Sequence, residues 1–106
     1  MPTPHVPTLA AKRAIRKIGT DLRVARLRRR LPMEIVAQRA FISRGTLTRI
    51  ENGDTGVSIG AYASVMHAVG LIDGLADVAA NDQAGLDLEI ENLPKRIRAR
   101  KKKCNE

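Results

Sequence analysis

Between Leu31 and Gly53 the chain has two short apolar patterns of helical spacing that are separated by only three residues. Pro32 starts the first pattern, because its fixed φ and missing N–H donor are tolerated in the first turn of a helix. Ile35, Val36 and Ala40 then provide one apolar face for a helix that ends near residue 40. A gap this short predicts two helices joined by a tight turn.

The second pattern is equally well delimited. Ser43 offers a side-chain oxygen that can accept from the first free N–H groups of a helix. Leu47 and Ile50 lie three residues apart, and Asn52 and Gly53 are typical of a helix end. We therefore expect a short third helix whose apolar side packs on the rest of the domain.

Three further stretches have helical patterns, and they complete a domain of five helices. The ranges are 20–31, 58–70 and 73–81. Residues 9–18 also carry helix-forming residues at helical spacing and could extend the first helix, although Gly19 intervenes. The fold class predicted is therefore all-α.

Size and composition agree with one small helical domain. The chain has 106 residues, of which 43% are hydrophobic and 2% aromatic. A core of aliphatic residues favours helices over a sheet. The two aromatic residues, Phe41 and Tyr62, are both expected to be buried, which argues against RNA binding through stacking.

Charge is divided into blocks along the chain. Residues 1–49 contain 12 Lys or Arg against two acidic residues, and residues 50–94 contain eight acidic residues and no Lys or Arg. The last block, 95–106, is basic again. This layout fits nucleic-acid binding on one side and a second task on the other, and it fits an ordinary solvated basic surface equally well.

We divide the chain accordingly. Residues 1–17 are expected to form a flexible N-terminal arm that is partly helical, and 18–81 the helix-turn-helix domain. Residues 82–94 form an acidic segment, and 95–106 a basic tail that could contact DNA, bind a partner or remain free. Within the acidic segment, residues 86–90 alternate apolar and acidic side chains, which predicts either a strand that pairs across a dimer or an irregular linker.

Several functional classes are disfavoured. The single cysteine, Cys104, and the isolated histidines His5 and His67 form no metal-ligand spacing, and no glycine-rich phosphate loop is present. We expect no metal, no cofactor and no enzymatic activity. Neither a membrane span nor a secretory signal is visible, so the expected location is the cytoplasm.

The run from Leu31 to Gly53 resembles the helix-turn-helix of the XRE and Cro/CI family of transcriptional regulators. The residues in register with that family are Val36, Ala37, Ile42, Ser43, Leu47, Ile50, Glu51, Asn52 and Gly53. The resemblance implies a lambda-repressor-like domain that binds double-stranded operator DNA as a homodimer. Two positions depart from the family pattern, Met33 where a phosphate-binding Gln is common and Phe41 where the turn often has Gly.

In a helix, successive residues are rotated by about 100°. This rotation places Arg44, Gly45, Thr48 and Arg49 on one exposed arc, opposite the apolar side. We expect that arc to contact base edges, with the arginines donating to guanine. The candidates for phosphate contact are Arg30, Arg39, Ser43 and Thr46.

Glu51 follows Ile50 and would be costly to bury without a partner. In the resembling family an arginine of the first helix pairs with this glutamate, and the matching arginine is Arg26. We expect a structural ion pair. At Phe41, the turn must either avoid the left-handed conformation or accept strain.

The segment from Leu93 to Lys103 is similar to the Leu-Pro-basic tail of antitoxins that neutralise HipA-type kinase toxins. This second resemblance implies an autoregulatory repressor with a HipA-like kinase as partner. The alternative is a protein-interaction module that neutralises or scaffolds a toxin, with DNA binding secondary. Co-purification with the product of the neighbouring gene would support this alternative, and the two functions are compatible.

Overall fold

The computed structural model describes residues 5–88 and 93–99, and all the regular structure in those ranges is helical. Six helices follow one another along the chain: α1 Leu9–Arg28, α2 Met33–Arg39, α3 Arg44–Glu51, α4 Ile59–Ala68, α5 Ile72–Ala76 and α6 Gln83–Leu88. The all-α class is confirmed, with six described helices where the sequence predicted five. No helix in the described ranges is both long and apolar enough to cross a membrane.

The first helix starts at Leu9 and not at Thr20. Its N-cap is Thr8, whose hydroxyl accepts from the N–H of Ala11 at 3.1 Å. Gly19 lies inside the helix and is buried. A Cβ at this position would collide with the carbonyl oxygen of Ile50, so the glycine lets the backbones of α1 and α3 approach closely.

The core is aliphatic apart from one tyrosine. Leu47, Ile50 and Val36 are 0% exposed, and Ala37 is 4% exposed where α2 crosses α3. The buried set is completed by Leu22, Ala25, Ala40, Tyr62, Val65, Met66 and Val69. Within this core α3 contacts both α1 and α2, while α4 contacts α2 and α5. These contacts fix α3 from one side and leave its other side open.

The strand predicted over residues 86–90 is wrong for the part that the structure describes. Residues 86–88 belong to α6, whose first turn is held by two bonds to Asp82: Gly85 N–H to Oδ1 at 3.0 Å and Leu86 N–H to the carbonyl at 2.9 Å. A short helix satisfies its backbone groups locally, whereas a lone strand needs a partner. Residues 89 and 90, and with them the end of the predicted dimer strand, lie outside the described ranges.

The turn between α2 and α3 accepts the left-handed conformation. Phe41 has φ 58° and is 94% exposed, so the expectation that it is buried is wrong. Its backbone N–H donates to the carbonyl of Gln38, and that of Ile42 donates to Ala37. A non-glycine residue in this conformation costs about 1–2 kcal/mol, which the hydrogen bonds and core contacts around the turn offset.

Candidate nucleic-acid interface

Helix α3 is short, and local contacts determine its start. Ser43 is its N-cap: the hydroxyl oxygen accepts from Thr46 N–H at 3.0 Å. The two side-chain oxygens of Ser43 and Thr46 are also hydrogen-bonded, at 2.9 Å. This bond uses one of the two hydroxyl protons, so the pair retains one proton for an external acceptor such as a phosphate oxygen.

The outer side of α3 carries the four residues that the sequence assigned to base contact. Arg44, Gly45, Thr48 and Arg49 are all exposed, while Leu47 and Ile50 on the opposite side are buried. We call these four residues the reading face. The hydroxyl of Thr48 donates to the carbonyl of Arg44 at 3.1 Å, which leaves its methyl group and an acceptor lone pair for a base edge.

A buried ion pair joins α1 to the end of α3. Arg26 Nε donates to Glu51 Oε2 at 2.7 Å and Arg26 Nη2 donates to Oε1 at 3.1 Å. A third bond runs from Nη1 to the carbonyl of Leu31 at 3.1 Å. The hydrogen bonds to Glu51 raise the pKa of Arg26 despite its burial. Both charges are satisfied, so the pair fixes the end of α3 against α1.

Each arginine of the reading face also contacts a carboxylate. Arg44 Nη1 lies 2.7 Å from Glu34 Oε1, and Arg49 Nε lies 2.7 Å from Asp54 Oδ2. Asp54 Oδ1 additionally accepts from Gly56 N–H at 2.7 Å. The hydrogen bond from Arg49, followed by that from Gly56, lowers the pKa of Asp54 below the ordinary value of 3.8.

A cationic groove of about 680 Å³ adjoins the reading face. Arg16, Thr20 and Arg23 line it from α1, and Thr48 and Asn52 line it from α3 and its C-terminal end. The groove therefore places the positive charges of Arg16 and Arg23, on α1, next to Thr48, a reading-face residue of α3. Its volume and the positive charges of Arg16 and Arg23 suit a phosphate group of a nucleic-acid backbone.

The candidates for phosphate contact do not form one cluster. Ser43 and Thr46 lie together at the start of α3, and Arg30 follows the end of α1 with φ 51°. Arg39 is exposed at the end of α2 and lines a separate cavity of about 390 Å³ with His67 of α4. Neither Arg30 nor Arg39 lines the cationic groove.

The family comparison agrees with this geometry. A family model described as a helix-turn-helix domain matches residues 17–79, more than half of the chain. The chain belongs to the helix-turn-helix domain family. This match supports a DNA-binding regulator. No curated protein and no solved structure matches the chain.

Sequence reasoning missed three contributors to this helix-turn-helix surface. Arg16 and Thr20 sit four residues apart on α1, and their spacing would have revealed a shared face had the helix been extended through Gly19. Asp54 was counted only as part of the acidic block. Its position directly after the Asn-Gly helix end was the available signal, because Asp is common in such turns and bonds its own backbone there.

Proposed function

We propose that the chain is a transcriptional repressor that binds a specific double-stranded operator as a homodimer. One observation carries this proposal: α3 exposes Arg44, Gly45, Thr48 and Arg49 while Leu47 and Ile50 are fully buried. A helix of this kind fits the major groove, where each base pair presents a distinct pattern of donors and acceptors.

Each residue of the reading face has a proposed role. Arg44 and Arg49 donate to the O6 and N7 acceptors of guanine. Thr48 contacts a thymine methyl group or a base-edge donor, and Gly45 lets the helix backbone approach the groove floor. A Cβ at Gly45 would meet only the hydroxyl of Ser43, at 3.8 Å. Internal packing therefore does not require glycine here, and we attribute it to close approach to DNA.

Phosphate contacts orient α3 in the major groove of the DNA. We assign them to Ser43 and Thr46 at the start of α3, to Arg30 and Arg39, and to the cationic groove lined by Arg16, Thr20 and Arg23. Met33 lines the cationic groove but has no hydrogen-bond donor for a phosphate. The arginines of the groove supply the donors that Met33 lacks.

Two considerations support the proposed homodimer: the half-site geometry of operators read by such repressors, and exposed apolar residues. Repressors of this type read two half-sites about 34 Å apart, one turn of DNA. Leu71, Val78, Leu86 and Leu88, which lie in or beside α5 and α6, are exposed. Exposed apolar residues of this kind support contact with a second copy.

We further propose that the repressor is the autoregulatory antitoxin of a HipA-type kinase. Support comes from the resemblance of the Leu93–Lys103 tail and from its surface in residues 93–99, where Leu93 and Ile97 are exposed outside any helix. An apolar and basic segment of this kind suits docking on a partner protein. Co-expression with an adjacent kinase-like gene, followed by affinity purification, tests this part alone.

DNA binding is tested by a triple substitution on the reading face. Arg44→Ala/Thr48→Ala/Arg49→Ala should abolish the preference for duplex from the chain's own upstream region over unrelated duplex, measured by fluorescence anisotropy. Lys17→Ala/Arg28→Ala is the matched control: it also removes two positive charges, from the face of α1 that carries Asp21. The proposal is refuted if the triple variant folds and keeps the parental preference.

A further inference from the structure

The two arginines of the reading face are held differently by their carboxylates. Arg49 uses Nε to reach Asp54, and neither of its terminal nitrogens has a hydrogen-bond partner among the described residues. Arg44 instead uses a terminal nitrogen, Nη1, to reach Glu34. Guanine is recognised by a pair of parallel donors from one guanidinium. Of the two arginines of the reading face, only Arg49 therefore keeps both terminal nitrogens for a base edge.

The carboxylate that holds Arg49 is itself anchored. Asp54 Oδ1 accepts from Gly56 N–H at 2.7 Å, and the Asp54 carbonyl accepts from Tyr62 Oη–H at 2.8 Å. The Asp54 N–H also donates to the carbonyl of Arg49 at 3.0 Å. Tyr62 is 4% exposed in the core, so Asp54 is connected to a rigid part of the fold. Glu34 makes no comparable second bond among the hydrogen bonds of the described residues.

Gly56 completes the arrangement because it leaves space beside both groups. A Cβ at this position would lie 3.1 Å from Asp54 Oδ1 and 3.4 Å from Arg49 Nη2. The loop therefore brings a donating backbone N–H to the aspartate without a side chain that would push the guanidinium away. Asp54 and Gly56 together form a fixed support behind Arg49.

From these contacts, and resting on the proposed function, we infer that Asp54 is a positioning residue that presents the terminal nitrogens of Arg49 to a guanine. An arginine fixed before binding loses less rotamer entropy when it contacts DNA, so more of its contact energy goes into discrimination. Arg49 is then the principal base-reading residue. To offer the same terminal pair, Arg44 must first leave Glu34, which engages its Nη1.

The substitution that tests this inference is Asp54→Asn. The asparagine Oδ1 can still accept from Gly56 N–H, so the loop is retained, but its amide nitrogen donates and cannot accept from Arg49 Nε. Removal of a negative charge next to DNA should strengthen binding to unrelated duplex. Loss of the support should weaken discrimination at one base pair by about 2- to 10-fold. A role in folding alone would not produce these opposite changes.

The experiment begins with selection of preferred sites by the full chain from a randomised duplex library. Arg49→Ala identifies the base pair that Arg49 reads, as the position whose preference disappears. Fluorescence anisotropy then measures DNA binding by three proteins: the parent, Asp54→Asn and Asp21→Asn. Each protein is tested on the selected duplex and on duplexes substituted at that base pair. Asp21→Asn is the matched control, because it also converts a carboxylate in an exposed ion pair, with Lys17, to an amide.

The expected result is that Asp54→Asn loses preference at the Arg49 base pair, keeps it elsewhere and binds unrelated duplex more tightly, whereas Asp21→Asn retains the preference. The inference is overturned if Asp54→Asn keeps the parental preference at that base pair, or if Arg49→Ala loses none. In both cases sequence-specific binding by the parent would still stand. Failure of the parent to select any sequence would instead refute the proposed function itself.

Discussion

Removal of one charge from the Arg26–Glu51 pair should destabilise the domain strongly. The two side chains are 10% and 6% exposed, and Glu51 accepts from two nitrogens of Arg26. Glu51→Gln keeps the shape but offers one acceptor oxygen, so a buried guanidinium loses its counter-charge and one of two hydrogen bonds. Breaking a buried pair in this way costs about 3–5 kcal/mol. Because one bond survives, we expect about 3 kcal/mol.

Urea unfolding followed by far-ultraviolet circular dichroism measures this loss, and thermal unfolding should show a fall in Tm of about 12–24 °C. Asp21→Asn breaks the exposed Lys17–Asp21 pair and should cost no more than about 0.5 kcal/mol. The double variant Arg26→Met/Glu51→Met should be closer to the parent than either single change, since neither charge is left alone. A loss below about 1 kcal/mol for Glu51→Gln, the range of exposed pairs, would refute the argument.

Three other predictions concern backbone contacts and a carboxylate. Gly19→Ala should lower the urea midpoint sharply, because its Cβ would collide with the carbonyl oxygen of Ile50; an unchanged midpoint would contradict the close helix crossing. Phe41→Gly should raise the free energy of unfolding by about 1 kcal/mol, because glycine accepts φ 58° without strain and little burial is lost; destabilisation would count against the strain. The pKa of Asp54, measured by NMR titration, should lie below 3.8, and Arg49→Met should move it back towards that value. The ion pair therefore contributes to stability at neutral pH, and this contribution is lost as pH falls through the lowered pKa.

The sequence was most informative where local chemistry determines structure. Ser43 is predictable as an N-cap because a hydroxyl bonds the backbone of its own helix, and it makes that bond here. The all-α class followed from apolar spacing in the same way. The outward direction of Arg49 also required only the rotation of α3 between two buried residues.

Features that depend on distant parts of the chain were not accessible. Gly19 was weighed as a helix-breaking residue, but it permits contact with the backbone of α3, which no local pattern reveals. Alternation at Leu86 and Leu88 suggested a strand, although a helix can satisfy the same backbone without a partner. The exposure of Phe41 was missed for a related reason: an aromatic residue was assigned to the core without knowing which side of the turn faces solvent.

The close crossing at Gly19 has a mechanical consequence. A helix of this length is a rod of about 30 Å, and its middle is in direct backbone contact with the end of α3. Lys12, Arg13 and Arg16, all on the N-terminal half of the rod, therefore keep a constant distance from the reading face. The folded domain holds their positive charges in place, so this helix needs no ordering on binding before it attracts a polyanion.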